Sequence, residues 1–137
     1  MIAKLLAVGL TRRLFLRSPV MGAVIAAAPK PALPKQRREI ELVRTFVAGT
    51  AYYDAERAFE ELAEGQELTL RRQPDNPHDR KAIEVYSSRG SKLGYVPRID
   101  NSALTALLDD GRQLRARIMA LRPVRYQDIR MAIALVD

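Results

Sequence analysis

Cysteine and tryptophan are missing from this 137-residue chain, and histidine occurs once. Without cysteine there is no disulfide, no thiol nucleophile and no thiolate metal site. A single histidine speaks against a His-rich metal centre and against a Ser-His-Asp triad. The seven glycines form no Walker loop, which argues against nucleotide hydrolysis. Long hydrophobic runs are also lacking. The apolar stretch Val20 to Ala28 is well short of the ~20 residues that a bilayer-spanning helix takes. Acidic residues are absent from the first 38 positions, where Lys4, Arg12, Arg13, Arg17, Lys30, Lys35, Arg37 and Arg38 stand alone.

That asymmetry governs how the net charge of +7 is to be read. Eight of the 23 basic residues lie ahead of Glu39, leaving 15 bases against 16 acids, a net of −1. A basic leader therefore precedes a nearly neutral domain, and the high pI is weak support for nucleic-acid binding. Within the leader, Thr11-Arg12-Arg13-Leu14-Phe15-Leu16-Arg17 runs into the apolar stretch in the manner of a twin-arginine export signal. The expected organisation is an export signal over 1–28, a proline-rich basic linker over 29–38 and one domain over 39–137. Export would place the mature chain in the periplasm, with no membrane span. A true start at Met21 would remove the signal and leave the protein cytoplasmic.

Over 39–137 the pattern predicts an α+β domain of order β-α-β-β-β-α-β-β, a small and mostly antiparallel barrel. Strands are expected at 39–48, 67–73, 81–87, 92–96, 113–121 and 128–136, from apolar alternation broken by turn residues. Ile40, Val43, Phe46 and Val47 mark the first. Leu114, Ala116, Ile118 and Ala120 share one face of the fifth, and Ile129, Met131, Ile133 and Leu135 one face of the sixth. A helix is expected from Asp54 through Glu64, ended by Gly65. A second is expected over 101–110, capped by Asn101 or Ser102, with Leu104, Leu107 and Leu108 inward. Pro74-Asp75-Asn76-Pro77 reads as a turn.

Three segments now stand out by order and spacing: Ala48-Gly49-Thr50-Ala51-Tyr52-Tyr53, Gln73-Pro74-Asp75-Asn76-Pro77-His78-Asp79, and Leu93-Gly94-Tyr95-Val96-Pro97-Arg98. Together they resemble the HIRAN domain, a module found at the N-terminus of some helicases and as free-standing bacterial proteins. The resemblance implies an OB-like barrel that binds single-stranded DNA, at a free 3′ end in the eukaryotic case. It implies that Tyr52 stacks on the terminal base and that Asp79 accepts a hydrogen bond from the terminal 3′-hydroxyl. His78 stands where the end-binding relative has tyrosine. Tyr95 stands where it has a phosphate-contacting histidine, and Ala51 where it has arginine. Tyr126 is the candidate for a further stacking aromatic.

Single strands are held by aromatic platforms with a cationic track. Tyr52, Tyr53, Tyr95 and Tyr126 are the available platforms; Arg71, Arg72, Arg98, Arg115, Arg117, Arg122 and Arg125 are the available cations. The candidate binding residues are thus Tyr52, Tyr53, Arg71, His78, Asp79, Tyr95 and Arg98. Taken singly, each has a structural alternative: a tyrosine can cap the core, and Asp79 can bond the backbone of its own turn. Asp75, Asn76 and Asp79 lack the spacing and closing glutamate of a calcium loop. No metal or cofactor is expected. His78 and Asp79 have no recognisable nucleophile beside them, so the leading expectation is a non-catalytic module for single-stranded DNA or DNA ends. The alternative is an exported envelope protein that uses the same barrel to bind a peptide or protein.

Overall fold

Apolar residues at every second position build the core. Ile83, Val85, Leu93, Ile118, Ile129, Met131 and Ile133 are fully buried. Each contributes roughly 1.5–3 kcal/mol by leaving water. The computed structural model describes Gly22 and residues 26–137. The expected export signal otherwise lies outside the described residues. Residues 26–38 carry neither helix nor strand.

The domain consists of β1 (Glu39–Phe46), a 3-10 turn at Thr50–Tyr52, α1 (Ala55–Ala58) followed by a 3-10 turn at Phe59–Glu61, β2 (Glu67–Arg72), β3 (Ile83–Tyr86), β4 (Lys92–Tyr95), α2 (Arg98–Asp109), β5 (Gln113–Arg122) and β6 (Asp128–Val136). This is the expected α+β order. The strands form one antiparallel sheet in the order β1-β6-β5-β2-β3-β4. The sheet closes on itself just past β1, where Ala48 and Tyr95 exchange backbone hydrogen bonds of 2.8 and 2.9 Å. That closure gives the OB-like barrel.

Gly94 makes the closure possible. A Cβ at position 94 would lie 2.1 Å from the Ala48 carbonyl oxygen and 2.9 Å from Val47 Cγ1. Gly49, at φ 76°, then turns the chain out of β1 through the left-handed region.

Several boundaries depart from the sequence pattern. The first helix does not reach Glu64. Leu62 adopts extended geometry, and Gly65 donates its N–H to the Ile118 carbonyl at 2.7 Å, so the chain has already joined β5. The second helix begins at Arg98 with Pro97 in the cap position. Asn101 is therefore a buried residue of its first turns and not a cap. In β1 and just past it, Val43, Thr45 and Val47 point inward in regular alternation and leave Phe46 facing out; a register shift between Glu41 and Val43 separates them from Ile40, which is also exposed. In β5 a shift beside Met119 passes the inward position from Ile118 to Leu121.

Candidate nucleic-acid interface

The loop between β2 and β3 is shaped by Asn76. Its side-chain oxygen accepts the N–H groups of His78 (2.9 Å) and Asp79 (3.1 Å). Its amide nitrogen donates to Gln73 Oε1 at 2.9 Å. The loop is then clamped from α2. Arg98, Asn101, Ser102 and Thr105 recur at i, i+3, i+4 and i+7, which puts them on one helix face. Arg98 donates to the His78 carbonyl at 2.9 Å, and Asn101 Nδ2 to Asp79 Oδ2 at 2.8 Å. Lys81 Nζ donates to Ser102 Oγ at 3.2 Å, and Thr105 Oγ1 to the Lys81 carbonyl at 2.8 Å. Arg72 adds a strut, donating to the carbonyls of Ala82 (2.7 Å) and Arg80 (3.0 Å) and to Asp109 Oδ1 (2.9 Å).

Opposite this loop stands the turn after β1. The Tyr52 N–H bonds the Gly49 carbonyl at 3.0 Å, and the Thr50 hydroxyl donates to the Tyr126 carbonyl. Tyr52 is left 85% exposed, an unusual state for an aromatic ring in a folded domain. Between loop and turn lies a cleft of about 250 Å³. Its walls include Tyr52, Tyr53, His78, Asp79, Tyr95 and Arg98, with Ala48, Val96 and Pro97 as apolar floor. Six of the seven candidate residues are thus brought together. Arg71 is not. It faces outward from β2 and lies over the Tyr86 ring, 4.9 Å from its centroid, as a diagonal cross-strand neighbour.

Tyr53 and Tyr95 meet edge to face, with centroids 5.5 Å apart. Lys92 sits 4.4 Å from both ring centroids and donates to the Tyr95 hydroxyl (2.8 Å) and to Glu84 Oε1 (3.0 Å). The Tyr95 hydroxyl donates in turn to Gln73 Oε1 at 2.7 Å. Its polar tip is therefore engaged inward, while the ring forms a cleft wall. Partial burial pulls the Lys92 ammonium down, but its bonds to Tyr95 and Glu84 outweigh that and leave its pKa above the ordinary lysine value. Partial burial, followed by Tyr95, pushes the Tyr53 phenol up.

Asp79 does bond its own turn. Its Oδ1 accepts the Lys81 N–H at 2.9 Å, while Oδ2 takes the Asn101 donor and lies 3.8 Å from Arg98 Nε. The Lys81 N–H holds the carboxyl below its ordinary value. Desolvation opposes this, and Asn101, Arg98 and the Lys81 charge reinforce it. An ionised carboxylate has about four acceptor positions, so two donors leave room for a ligand hydroxyl. The turn bond and a ligand bond are compatible.

The other candidate cations lie elsewhere. Arg115 pairs with Glu39 and with Glu67, the latter at 3.1 Å; Arg117 lies 3.4 Å from Glu39. Arg122 reaches Asp128 at 4.0 Å, and Arg125 lies over the Tyr126 ring. Sequence reasoning missed Asn76, Lys92 and Asn101. The polar i, i+3, i+4, i+7 spacing from Arg98 was the available signal for Asn101. Nothing in the sequence pairs Lys92 with two tyrosines. Among the described residues no group of three or more His, Cys, Asp or Glu side chains could hold a metal, and no helix is long and apolar enough to cross a membrane.

The sequence model of the HIRAN domain matches residues 40–135, most of the chain. The chain belongs to the HIRAN domain family. Solved structures agree in fold. A crystal structure of a protein from Lactobacillus plantarum superposes with a TM-score of 0.68 at 25% identity, covering 74% of this chain and 98% of that one. The HIRAN domain of human HLTF superposes at 0.60 with 20% identity, covering 72% and 78%, a likeness of fold. The Fanconi-associated nuclease 1 homolog of Arabidopsis thaliana is 36% identical over 70 residues. That segment is 51% of this chain and 7% of the nuclease homolog, so the likeness is confined to the HIRAN module.

Proposed function

We propose that this HIRAN domain is a non-catalytic DNA-binding module whose cleft takes the 3′ end of a single strand. The observation that carries the reading is the juxtaposition of an exposed stacking ring, Tyr52, with an ionised carboxylate that has acceptor capacity left, Asp79. The ring offers a base its face, worth ~1–3 kcal/mol by stacking. The carboxylate offers the terminal hydroxyl a charged acceptor, worth roughly 1.5–3 kcal/mol. It repels a terminal phosphate. Arg98, in the cleft wall with 70% of its side chain exposed, is the cation assigned in this reading to the phosphate ahead of the last nucleotide.

The test compares strands ending in 3′-hydroxyl and 3′-phosphate. Wild type is expected to favour the hydroxyl ten-fold or more, since ~1.4 kcal/mol is one decade. Asp79→Ala erases the preference. Equal binding of both ends by wild type overturns the reading. Because the Asp79 carboxyl titrates below its ordinary value, it stays an ionised acceptor into acid, and the preference is expected to narrow first near pH ~6, where the terminal phosphate loses its second charge. The preference is lost only as pH falls through the lower folded value. The stability contributed by this carboxylate follows the same sign, present above the unfolded pKa and lost below the folded one.

A second reading, that the same barrel binds a peptide or protein, has one feature in its favour. A groove of about 450 Å³ runs between β1 and α2, lined by Leu42, Ile99, Leu104 and Leu107. Retention of function by a chain with Tyr52 and Asp79 both replaced by alanine, and its loss on Ile99→Asp, would favour that reading over DNA.

A further inference from the structure

We infer that Asn101 is a positioning residue that sets the end selectivity of the cleft by fixing the Asp79 carboxylate with a neutral donor. This rests on the reading of Asp79 as acceptor of the terminal hydroxyl.

A carboxylate on a loop held through one oxygen can still rotate about that bond. The Lys81 N–H pins Oδ1, and Asn101 Nδ2, at 2.8 Å, pins Oδ2. Two pins on different oxygens fix the plane of the group, and with it the directions of the remaining lone pairs. Asn101 is 2% exposed on a helix, so its amide is itself held in place. Asp79 is acceptor-only when ionised, which makes the amide nitrogen face it.

The charge type at position 101 matters as much as the bond. A buried arginine or lysine there would neutralise Asp79 and draw a terminal phosphate in. Asparagine fixes the carboxylate and leaves its charge. The charged groups acting on Asp79 are Arg98 from α2 and Lys81 from its own loop. Arg98 Nε stands 3.8 Å away on a largely exposed side chain. The selectivity against phosphate therefore depends on a neutral donor at the one buried pin.

The loop backbone does not depend on this bond. Thr105 holds the Lys81 carbonyl, Ser102 the Lys81 ammonium and Arg98 the His78 carbonyl. Removing the Asn101 amide frees the carboxylate while the loop stays docked.

The experiment uses the full chain. Binding of 3′-hydroxyl and 3′-phosphate oligonucleotides is measured alongside NMR titration of the Asp79 carboxyl, in wild type, Asn101→Leu, Asn101→Ala and Ser102→Ala. Asn101→Leu keeps the volume and removes the donor. Its hydroxyl-to-phosphate affinity ratio is expected to fall at least five-fold from wild type, with the Asp79 midpoint moving up. Ser102→Ala cuts a neighbouring loop contact and is expected to keep both values. Asn101→Ala also removes the donor, without adding charge, and is expected to give the same fall in ratio and the same upward midpoint, so it carries the same test if the leucine variant does not fold. A folded Asn101→Leu with wild-type ratio and wild-type midpoint overturns the inference. If wild type itself does not discriminate the ends, the end-binding reading fails and so does the selectivity role of Asn101. The midpoint then still decides whether Asn101 holds the carboxylate.

Discussion

The outer face of β1, β6 and β5 carries more arginine than the cleft does, yet its guanidinium groups are already occupied. Arg115 and Arg117 converge on Glu39, and Arg115 also reaches Glu67, around a shallow hollow floored by Ala132 and Ala134. No tyrosine lines that hollow. The cleft has a single arginine in its wall, but that arginine is exposed and stands with three tyrosines and a carboxylate. Cation count is therefore a poor guide to where a strand would lie. What separates the two faces is exposure and company: Arg98, although 3.8 Å from Asp79, keeps 70% of its side chain exposed, against 30% and 49% for Arg115 and Arg117, and only the cleft offers an exposed aromatic face, that of Tyr52.

The largest way to break the contrast is to remove the cleft floor. Gly94→Ala places a Cβ 2.1 Å from the Ala48 carbonyl oxygen, where backbone on both sides must shift. The barrel closes at that point, so the expected cost is on the order of 3 kcal/mol or more. That corresponds to a Tm fall of more than about 10 °C for a domain of this size. A small Tm change would mean that the Ala48–Tyr95 bridge contributes little to closure. Next in size is Tyr52→Ala. The ring is so exposed that its loss should leave Tm nearly unchanged, while affinity for every single strand falls about ten-fold. A loss confined to 3′-hydroxyl strands would move Tyr52 from a stacking role to an end-reading one.

These two effects also mark what the sequence made legible. Alternation placed all six strands, because residues such as Ile129, Met131 and Ile133 have one face to bury and a period of two in which to do it. The cleft residues were legible through the family resemblance, since nothing in composition distinguishes Tyr52 from a core tyrosine. The supports were not. Asn101 resembles a cap by residue type, and only the start of α2 at Arg98 turns it into a buried donor. Arg71 and Arg98 are alike in sequence, but strand alternation sends the first to Tyr86 and the helix start brings the second to the cleft.

Arg98→Gln sharpens the comparison with a smaller effect. The side chain bonds the His78 carbonyl, and a glutamine amide can partly replace that bond, so the fold should survive. What is lost is one phosphate contact. The log-log salt dependence of single-strand binding should flatten by ~0.7, since each neutralised phosphate releases that share of counterion. Affinity should drop about two- to five-fold, as expected of an exposed ion pair. An unchanged salt slope would place the phosphates away from α2.

The smallest expected effect belongs to the outer face, and it is the sharpest discriminator between the two regions. Arg115→Gln together with Arg117→Gln removes two of the cations that composition alone would assign to DNA. Both guanidinium groups are within 3.4 Å of carboxylates. For either to grip a phosphate, it would first have to give up Glu39 or Glu67, exchanging one anion for another with little net gain. Neither lies near an aromatic face in the hollow that it lines. The double variant should therefore bind single strands with wild-type affinity and wild-type salt slope. Its stability should fall by about 1 kcal/mol, because these ion pairs are partly exposed and partly screened. A slope flattened by ~1.4 would mean that both arginines contact phosphate. The strand would then run across the β1–β6–β5 face, and the cleft would hold at most its end.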